Sequence, residues 1–438
     1  MALVDSTIII ADDLTGANDT ALQFFKKGCS AQIVIDYMQD FASMQSVEAR
    51  AISTESRNID KEIAVDRVVR VSKQLKENLN VENFYKKIDS TLRGNTGLEI
   101  VAMLEAVEKE VAIVAPAYIE EGRTTIGAYQ LLNGMVIERT QCALDPKAPI
   151  YDSYIPDILK KDLNPQLHDL IDTIGLNVVT KGAGPIVLKI NELVQQGKKI
   201  IVIDAMSNTD LEQIALAIQK SQYDILPCGS AGLANAMNKI DVENFELVQK
   251  QNIPNLAKLI VSGSATQLSL KQIDKLKEEK SEIYFVDLEI KNIIDGISEE
   301  LINDINEKLS KNIDVVVHSS YINKEITQDE ALNQLIDAGI AKDEFPSKIT
   351  DFLSDLVYEI NQKSEFILII VGGETSYKCA SKIESAYLNV LDAILPAVPL
   401  CVDKNGKYLV TKSGNFGYVN TLVEIVDYFK KQAKNENI

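Results

Sequence analysis

The sequence predicts an α/β protein of two domains, each a mostly parallel sheet flanked by helices. Three observations carry this. Strand-like apolar runs alternate with helical patterns along the chain, the sequence sign of βαβ units. Most of the runs are apolar at consecutive positions, as in strands buried on both faces of a parallel sheet. The length of 438 residues, at roughly 150 per domain, is a prior for two or three folding units.

Thr7-Ile8-Ile9-Ile10-Ala11 is a β-branched run that stops at Asp12-Asp13, and a helical stretch with Ala17, Ala21 and Leu22 follows. Further strands are predicted over Ala31–Ile35, Phe84–Ile88, Val111–Ala115 and Ile200–Ile203, then over Leu259–Val261, Ile283–Val286, Val315–Val317 and Phe366–Val371. Between them lie helical patterns such as Ile100, Met103, Leu104 and Val107, and near the end Leu422, Ile425, Val426 and Phe429. A polar segment between Asn238 and Leu259, with Asn244, Gln249, Lys250, Gln251, Asn252 and Pro254, predicts the boundary between domains 1–245 and 255–438. Cys142 to Pro165, carrying Pro146, Pro149, Pro156 and Pro165, reads as a long connection or flap. Ile322 to Lys363 reads as a solvated helical layer.

Composition excludes several classes. A 46% hydrophobic content with 25% charged residues is that of a soluble globular protein. The formal charge of −19 argues against a nucleic-acid or anionic-membrane partner, although a few buried cations can still hold a small anion. No apolar run approaches the roughly 18 residues of a membrane span, and Met1-Ala2-Leu3-Val4-Asp5 does not open a signal peptide. The five dispersed cysteines read as reduced thiols of a cytoplasmic protein. His168 and His318 do not form a metal pattern, so no metal ligand is singled out.

In open α/β sheets ligands bind at the carboxyl ends of the strands, so the residues just after each strand carry the candidate chemistry. Asp12 and Asp13 follow the first strand and open a helix in Asp12-Asp13-Leu14-Thr15-Gly16-Ala17-Asn18-Asp19. Such a carboxylate can orient or deprotonate a hydroxyl, hold Mg²⁺ through water, or simply cap the helix. Lys87-Ile88-Asp89-Ser90-Thr91-Leu92-Arg93-Gly94 delivers two cations, a carboxylate and a hydroxyl pair within one turn, a set suited to a carboxylate or phosphate ligand, or to a capped surface turn. Thr54-Glu55-Ser56-Arg57-Asn58 places Arg57 after a further short run, and Glu121–Thr125 resembles a loop closing over a site.

Later in the chain three Gly-rich turns occur, two of them directly after buried strands: Ser262-Gly263-Ser264, Gly372-Gly373-Glu374-Thr375-Ser376 and Lys412-Ser413-Gly414-Asn415-Phe416-Gly417. Glycines let backbone N–H groups approach phosphate oxygens, and a helix N-terminus favours negative charge, so the trio points to a nucleotide-phosphate site. The P-loop, the Gly-x-Gly-x-x-Gly fingerprint after the first strand and the Gly-x-Ser-x-Gly elbow are missing, which weighs against P-loop, dinucleotide and hydrolase readings.

Ala11-Asp12-Asp13-Leu14-Thr15-Gly16-Ala17 with Lys87–Gly94 resembles the four-carbon acid sugar kinase family, as do Gly229-Ser230-Ala231-Gly232-Leu233-Ala234, Gly372–Thr375 and Ser413–Gly417. The matches run in the family's order and span nearly the whole chain. The resemblance implies an N-terminal acid-sugar-binding domain, a C-terminal nucleotide-binding domain and an active site in the cleft between them. It implies that Asp12, Arg57 and Lys87-Ile88-Asp89-Ser90 hold a sugar acid such as threonate, erythronate or an oxo-tetronate. It places ATP on Ser262 and Ser264, on Gly372-Gly373-Glu374-Thr375 and on Gly414. Ala265-Thr266-Gln267 departs from the second Ser that many relatives carry, which weakens the assignment of Ser264.

The mechanism expected on this basis is in-line phosphoryl transfer from ATP, with Mg²⁺, to the 4-hydroxyl. Arg57 and Lys87 grip the carboxylate, Arg93 adds to the basic site, and Asp12 or Asp89 acts as base. A non-catalytic acid-sugar sensor and a kinase for another small hydroxy acid are the alternatives. The stereoisomer is left open, as is the oligomeric state, a homo-oligomer included.

Overall fold

The computed structural model describes residues 5–79, 81–145, 148–237, 253–319, 322, 334–342 and 344–435. Most of the expected boundary segment (238–252) lies outside the described residues, as do Pro146 and residues 323–333 and 343 of the charged stretch after Ile322. The chain divides into two compact units, Met1–Leu247 and Val248–Ile438.

In the first unit the strands are β1 (Asp5–Ala11), β2 (Ala31–Val34), β3 (Ala49–Ser53), β4 (Val81–Lys87), β5 (Val111–Ala115), a small antiparallel set β6 (Arg123–Ile126), β7 (Tyr129–Leu132) and β8 (Met135–Val136), then β9 (Ile171–Ile174), β10 (Ile200–Ile203) and β11 (Ile225–Gly229). The main sheet runs β2-β3-β1-β4-β11-β5-β10-β9 with every pair parallel. Its strands are apolar throughout because both faces are covered: Ile8, Ile9 and Ile10 are all fully buried. Helices α1 (Leu14–Phe25), α2 (Lys61–Asn78) and α3 (Thr96–Ala106) follow β1, β3 and β4. In α2 the buried Ala64, Val68, Val71 and Leu75 recur at helical spacing, and Asp60 caps its start by accepting from the Glu62 N–H.

Two expectations are corrected here. The segment Glu121–Thr125 is not a loop closing over a site: Arg123 opens the β6–β7 hairpin, whose two-residue turn holds Gly127 and Ala128 at φ +58° and +60°. Asp204, just after β10, fixes that turn by accepting from both N–H groups, at 2.7 and 2.8 Å. The proline-rich segment Cys142–Pro165 is not wholly a flap. Pro156 sits in the first turn of the helix Ile155–Lys160, where a missing N–H is harmless, and Ile155 and Leu159 are buried.

The second unit has β12 (Lys258–Ser262), β13 (Tyr284–Asp287), β14 (Val315–His318), β15 (Ile367–Val371), β16 (Tyr387–Leu395), β17 (Val398–Asp403) and β18 (Tyr408–Lys412). Their order is β13-β14-β12-β15-β18-β17-β16, parallel up to β18 and antiparallel through β17 and β16. One face is packed by Ile260, Val316, Ile369 and Val410 against Ile273 and Leu276 of the helix Gln267–Glu279, and against Leu422, Ile425 and Val426 of the helix Thr421–Asn435. The helices Phe345–Asn361 and Gly373–Lys382 pack on each other.

Candidate active site

The candidate residues fall into two clusters, one in each unit. In the first unit, Ser53, Ala11 and Lys87 stand in one register row across β3, β1 and β4, so the segments after these three strands emerge side by side. Thr54 N–H bonds the Ala11 carbonyl at 2.9 Å, and the Ser56 and Arg57 N–H groups both reach the Asp12 carbonyl. Glu55, at φ +45°, makes the bend that turns Arg57 back over Asp12.

Arg57 is clamped. Its Nε and Nη2 donate to the two oxygens of Asp12 at 2.6 and 3.1 Å, and its Nη1 donates to Asp13 at 2.5 Å. A guanidinium has five N–H groups, so two stay available to a ligand. Asp13 meanwhile accepts from the Gly16 N–H at 2.7 Å and so caps α1, which makes capping and ion pairing two roles of one side chain. Lys87 Nζ lies over the first turn of α1, where a Cβ on Gly16 would come within 2.9 Å of it. It donates to the Ile88 carbonyl at 2.8 Å and keeps further N–H groups for a ligand.

Asp89 begins the next turn, and its Oδ2 is fully engaged. Arg93 Nε and Nη2 reach its two oxygens at 2.7 and 3.1 Å, and the Thr91 hydroxyl adds a third bond at 2.5 Å. Arg93 also bonds Asp145 at 2.9 Å, a partner that nothing in the local sequence indicates. Ile88 is buried, while Ser90 is half-buried, its carbonyl held by Gln130 at 2.7 Å. The Gly229–Ala234 motif works as packing: Ser230 bridges the Ala117 carbonyl and the Gly232 N–H, and a Cβ on Gly229 would lie 2.7 Å from the Ala115 carbonyl.

The electrostatics separate these carboxyls. Burial would raise Asp12, but the Arg57 guanidinium together with the Lys87 and Lys86 charges outweighs it and holds the carboxyl below its ordinary value. Burial also opposes ionisation of Asp89, yet Arg93 and Arg57 hold it well below that range. Asp13 is raised, by burial and then by the neighbouring Asp12 charge, which together outweigh Arg57. Two further acids have no guanidinium of their own. Burial lifts Asp19, which accepts from the Tyr118 hydroxyl at 3.2 Å, to about 6, and Glu55 to about 7. Both lie inside the motifs Asp12–Asp19 and Thr54–Asn58, where residue type alone does not distinguish them, because burial without a compensating Arg is a property of the fold.

In the second unit the three Gly-rich turns interlock. The Ser264, Thr266 and Ser269 hydroxyls form one network that ends on the Gly414 carbonyl, bonded at 3.0 Å by Thr266 and 2.9 Å by Ser269. A Cβ on Gly414 would overlap the Ser264 hydroxyl, and one on Gly263 would lie 2.5 Å from the Thr375 hydroxyl. The Gly372 N–H bonds the Lys412 carbonyl at 2.8 Å. The two helix starts differ. Thr266 caps its helix through the Ser269 N–H, whereas Gly372, at φ +115°, leaves the helix Gly373–Lys382 without a side-chain cap. Ser262 and Ser376 are buried there with hydroxyls that have no partner among the described residues. An uncapped N-terminus beside unpaired hydroxyls fits an anionic group such as a nucleotide phosphate. Glu374 stands in that first turn as its acidic side chain. Among the described residues no group of three or more His, Cys, Asp or Glu is arranged to hold a metal ion, and no helix is long and apolar enough to cross a membrane.

Comparison with known proteins gives this arrangement a family. A model described as a sugar-binding N-terminal domain matches residues 7–237, and one described as a nucleotide-binding C-terminal domain matches residues 259–422. The chain is 28% identical to a D-threonate kinase of Salmonella typhimurium, covering 97% of this chain and 98% of that protein. It is 27% identical to a D-erythronate kinase of Heliobacterium modesticaldum, with 99% of each covered, and 26% identical to a 3-oxo-tetronate kinase of Haemophilus influenzae, with 93% and 96% covered. Crystal structures of a Haemophilus influenzae and a Salmonella typhimurium protein share the fold, with TM-scores of 0.74 and 0.79 at 23% and 20% identity, each over 96% of this chain and over 100% and 98% of theirs. The chain belongs to the four-carbon acid sugar kinase family. It is a sugar-acid kinase, and the sensor alternative falls with that.

Proposed function

We propose that the protein transfers the γ-phosphoryl group of ATP to the 4-hydroxyl of a four-carbon sugar acid, with threonate, erythronate and oxo-tetronates as the candidate acceptors. The observation that carries this reading is the row of Arg57, Asp12 and Lys87 at the ends of three neighbouring strands. There, cations with N–H groups to spare stand beside a carboxylate held ionised. In this reading the first unit holds the acid and the second holds the nucleotide. Arg57 and Lys87 bind the substrate carboxylate, and Arg93 acts on it through the Asp89 turn.

Asp12 is the carboxylate that meets the acceptor hydroxyl. Each of its oxygens accepts one bond, both from Arg57, and has a lone pair to spare, whereas Asp89 is more heavily engaged: its Oδ2 accepts from Thr91 and Arg93, and its Oδ1 accepts from Arg93 with Arg57 3.8 Å away. Holding Asp12 ionised makes it a good acceptor that orients the hydroxyl, and the proton transfers to it as the O–P bond forms. ATP supplies the phosphoryl group, with its phosphates on the uncapped Gly372–Thr375 turn. Mg²⁺ would be held mainly by those phosphates and by water, with one or two protein carboxylates at most, and would neutralise the phosphate charge. Positioning and charge neutralisation account for most of such catalysis.

The test is a coupled ATP-consumption assay over D- and L-erythronate, D- and L-threonate and the oxo acids, widened to three- and five-carbon acids. Turnover is expected with at least one four-carbon acid. Turnover confined to acids of another length would sink the four-carbon reading. Asp12→Asn is expected to lower kcat by about 10²- to 10⁴-fold, and a rate near wild type would remove Asp12 from its role.

A further inference from the structure

We propose that Lys412 is the cation that binds the phosphate chain of the nucleotide. The proposal rests on the reading of the second unit as the nucleotide site and adds a residue to it. Lys412 ends β18 and is only 1% exposed. Other buried lysines have acids beside them. Lys86 is paired with Glu99 at 2.8 Å, Lys258 with Asp314 at 3.4 Å, and Lys87 lies in the fields of Asp12, Asp13 and Asp19. Lys412 makes no such pair among the described residues: its ammonium donates to the Ser413 carbonyl at 2.7 Å, and no carboxylate charge acts on it. A buried ammonium without a counter-charge is costly to keep, and proteins retain one where a ligand supplies the missing anion.

The surroundings identify that anion. Lys412 is in register with Val371, and Val371 with Ser262, so the three side chains share one sheet face at the carboxyl edge. Among the described residues the Ser262 hydroxyl is buried there without a partner, as is that of Ser376, in the helix that begins at Gly373. The backbone of Lys412 itself holds Gly372, the residue that leaves this helix uncapped. An unpaired cation, unpaired hydroxyls and free helix N–H groups in one place describe a site for a polyphosphate. Burial also pushes the Lys412 ammonium down to about 8, the mark of a charge lacking its partner.

The test compares the full-length wild type with Lys412→Met, a variant of similar length without the charge. Calorimetric titrations use ATP with Mg²⁺, tripolyphosphate and adenosine, alongside thermal melts of each protein without ligand. In the variant, ATP and tripolyphosphate are expected to bind roughly 10- to 100-fold more weakly, as for loss of a charge-assisted contact, while adenosine changes by less than about threefold. Without ligand the variant is expected to melt at or above the wild-type temperature, because an uncompensated charge has gone. Equal ATP affinity in the two proteins would overturn the role of Lys412 while leaving the kinase reading intact. A melting temperature well below wild type would also overturn it, since the ammonium would then be holding the fold. Failure of the wild type itself to bind ATP would instead overturn the nucleotide reading, and this inference with it.

Discussion

Asp19 and Glu55 are buried acids that carry a stability signature of their own. Their folded values, about 6 and about 7, lie above the roughly 3.9 and 4.3 of an unfolded chain. Between those limits the native state holds protons that the unfolded state has released, so these two groups make stability fall as pH rises from about 4 to about 7, and then level off. Asp12 and Asp89 act with the opposite sign, because their lowered values give stability that is lost as pH drops below about 4. Asp19→Asn should therefore gain on wild type by about 1 to 3 kcal/mol between pH 4 and 7, read from urea unfolding at each pH. A constant difference across that range would show that Asp19 titrates normally. At this scale the site was partly legible in the sequence. Residue types after strand ends pointed to Asp12, Arg57, Lys87 and Asp89, because chain position alone delivers them to one edge. It could not show that Arg57 is shared by three aspartates, Asp12, Asp13 and Asp89, nor that Asp145 reaches Arg93 from 52 positions away, since both depend on how distant segments fold back.

Elements were legible where one local rule decided them. Runs such as Ile8–Ile10 and Ile367–Val371 read as strands because burial on both faces leaves no polar position. β11 escaped because Pro227 argues against an inner strand, yet its pairing with β4 begins only at Cys228, after the residue that lacks an N–H. The antiparallel β16–β18 set escaped for separate reasons: β16 mixes buried and half-exposed positions, β17 carries Pro399 inside its run, and β18 is short and ends on the polar Thr411 and Lys412. Prolines 149 and 156 read as loop, although the second starts a helix. That helix, Ile155–Lys160, approaches α3 so closely that a Cβ on Gly97 would overlap the Leu159 carbonyl oxygen. Gly97→Ala should destabilise by about 1 to 3 kcal/mol through overpacking, visible as a lower melting temperature. An unchanged melting temperature would mean that the two helices separate freely, and would remove this contact from the forces that hold the α3 end of the Asp89–Gly94 turn.

At the scale of the whole molecule, each unit gathers its candidate chemistry at the carboxyl ends of parallel strands, and the overall charge is −19. The charge acts at long range and the cations only at short range. In the first cluster Arg57, Lys87 and Arg93 face Asp12, Asp13 and Asp89, so the local charge nearly cancels before an acid arrives. An approaching sugar acid or nucleotide therefore meets a net repulsion once it comes within about a Debye length of the surface, about 10 Å at 0.1 M salt, before the cations of the site take hold at contact. Salt screens that repulsion, while the hydrogen-bonded contacts inside the site are buried and screened much less. Raising KCl from 10 to 150 mM should hence raise kcat/KM for the acid by roughly twofold or more. A protein that steered its anions with a basic surface would lose rate over the same range. A steep fall with salt would place the decisive field outside the clusters described here, and would contradict the view that bulk charge and pocket charge act independently.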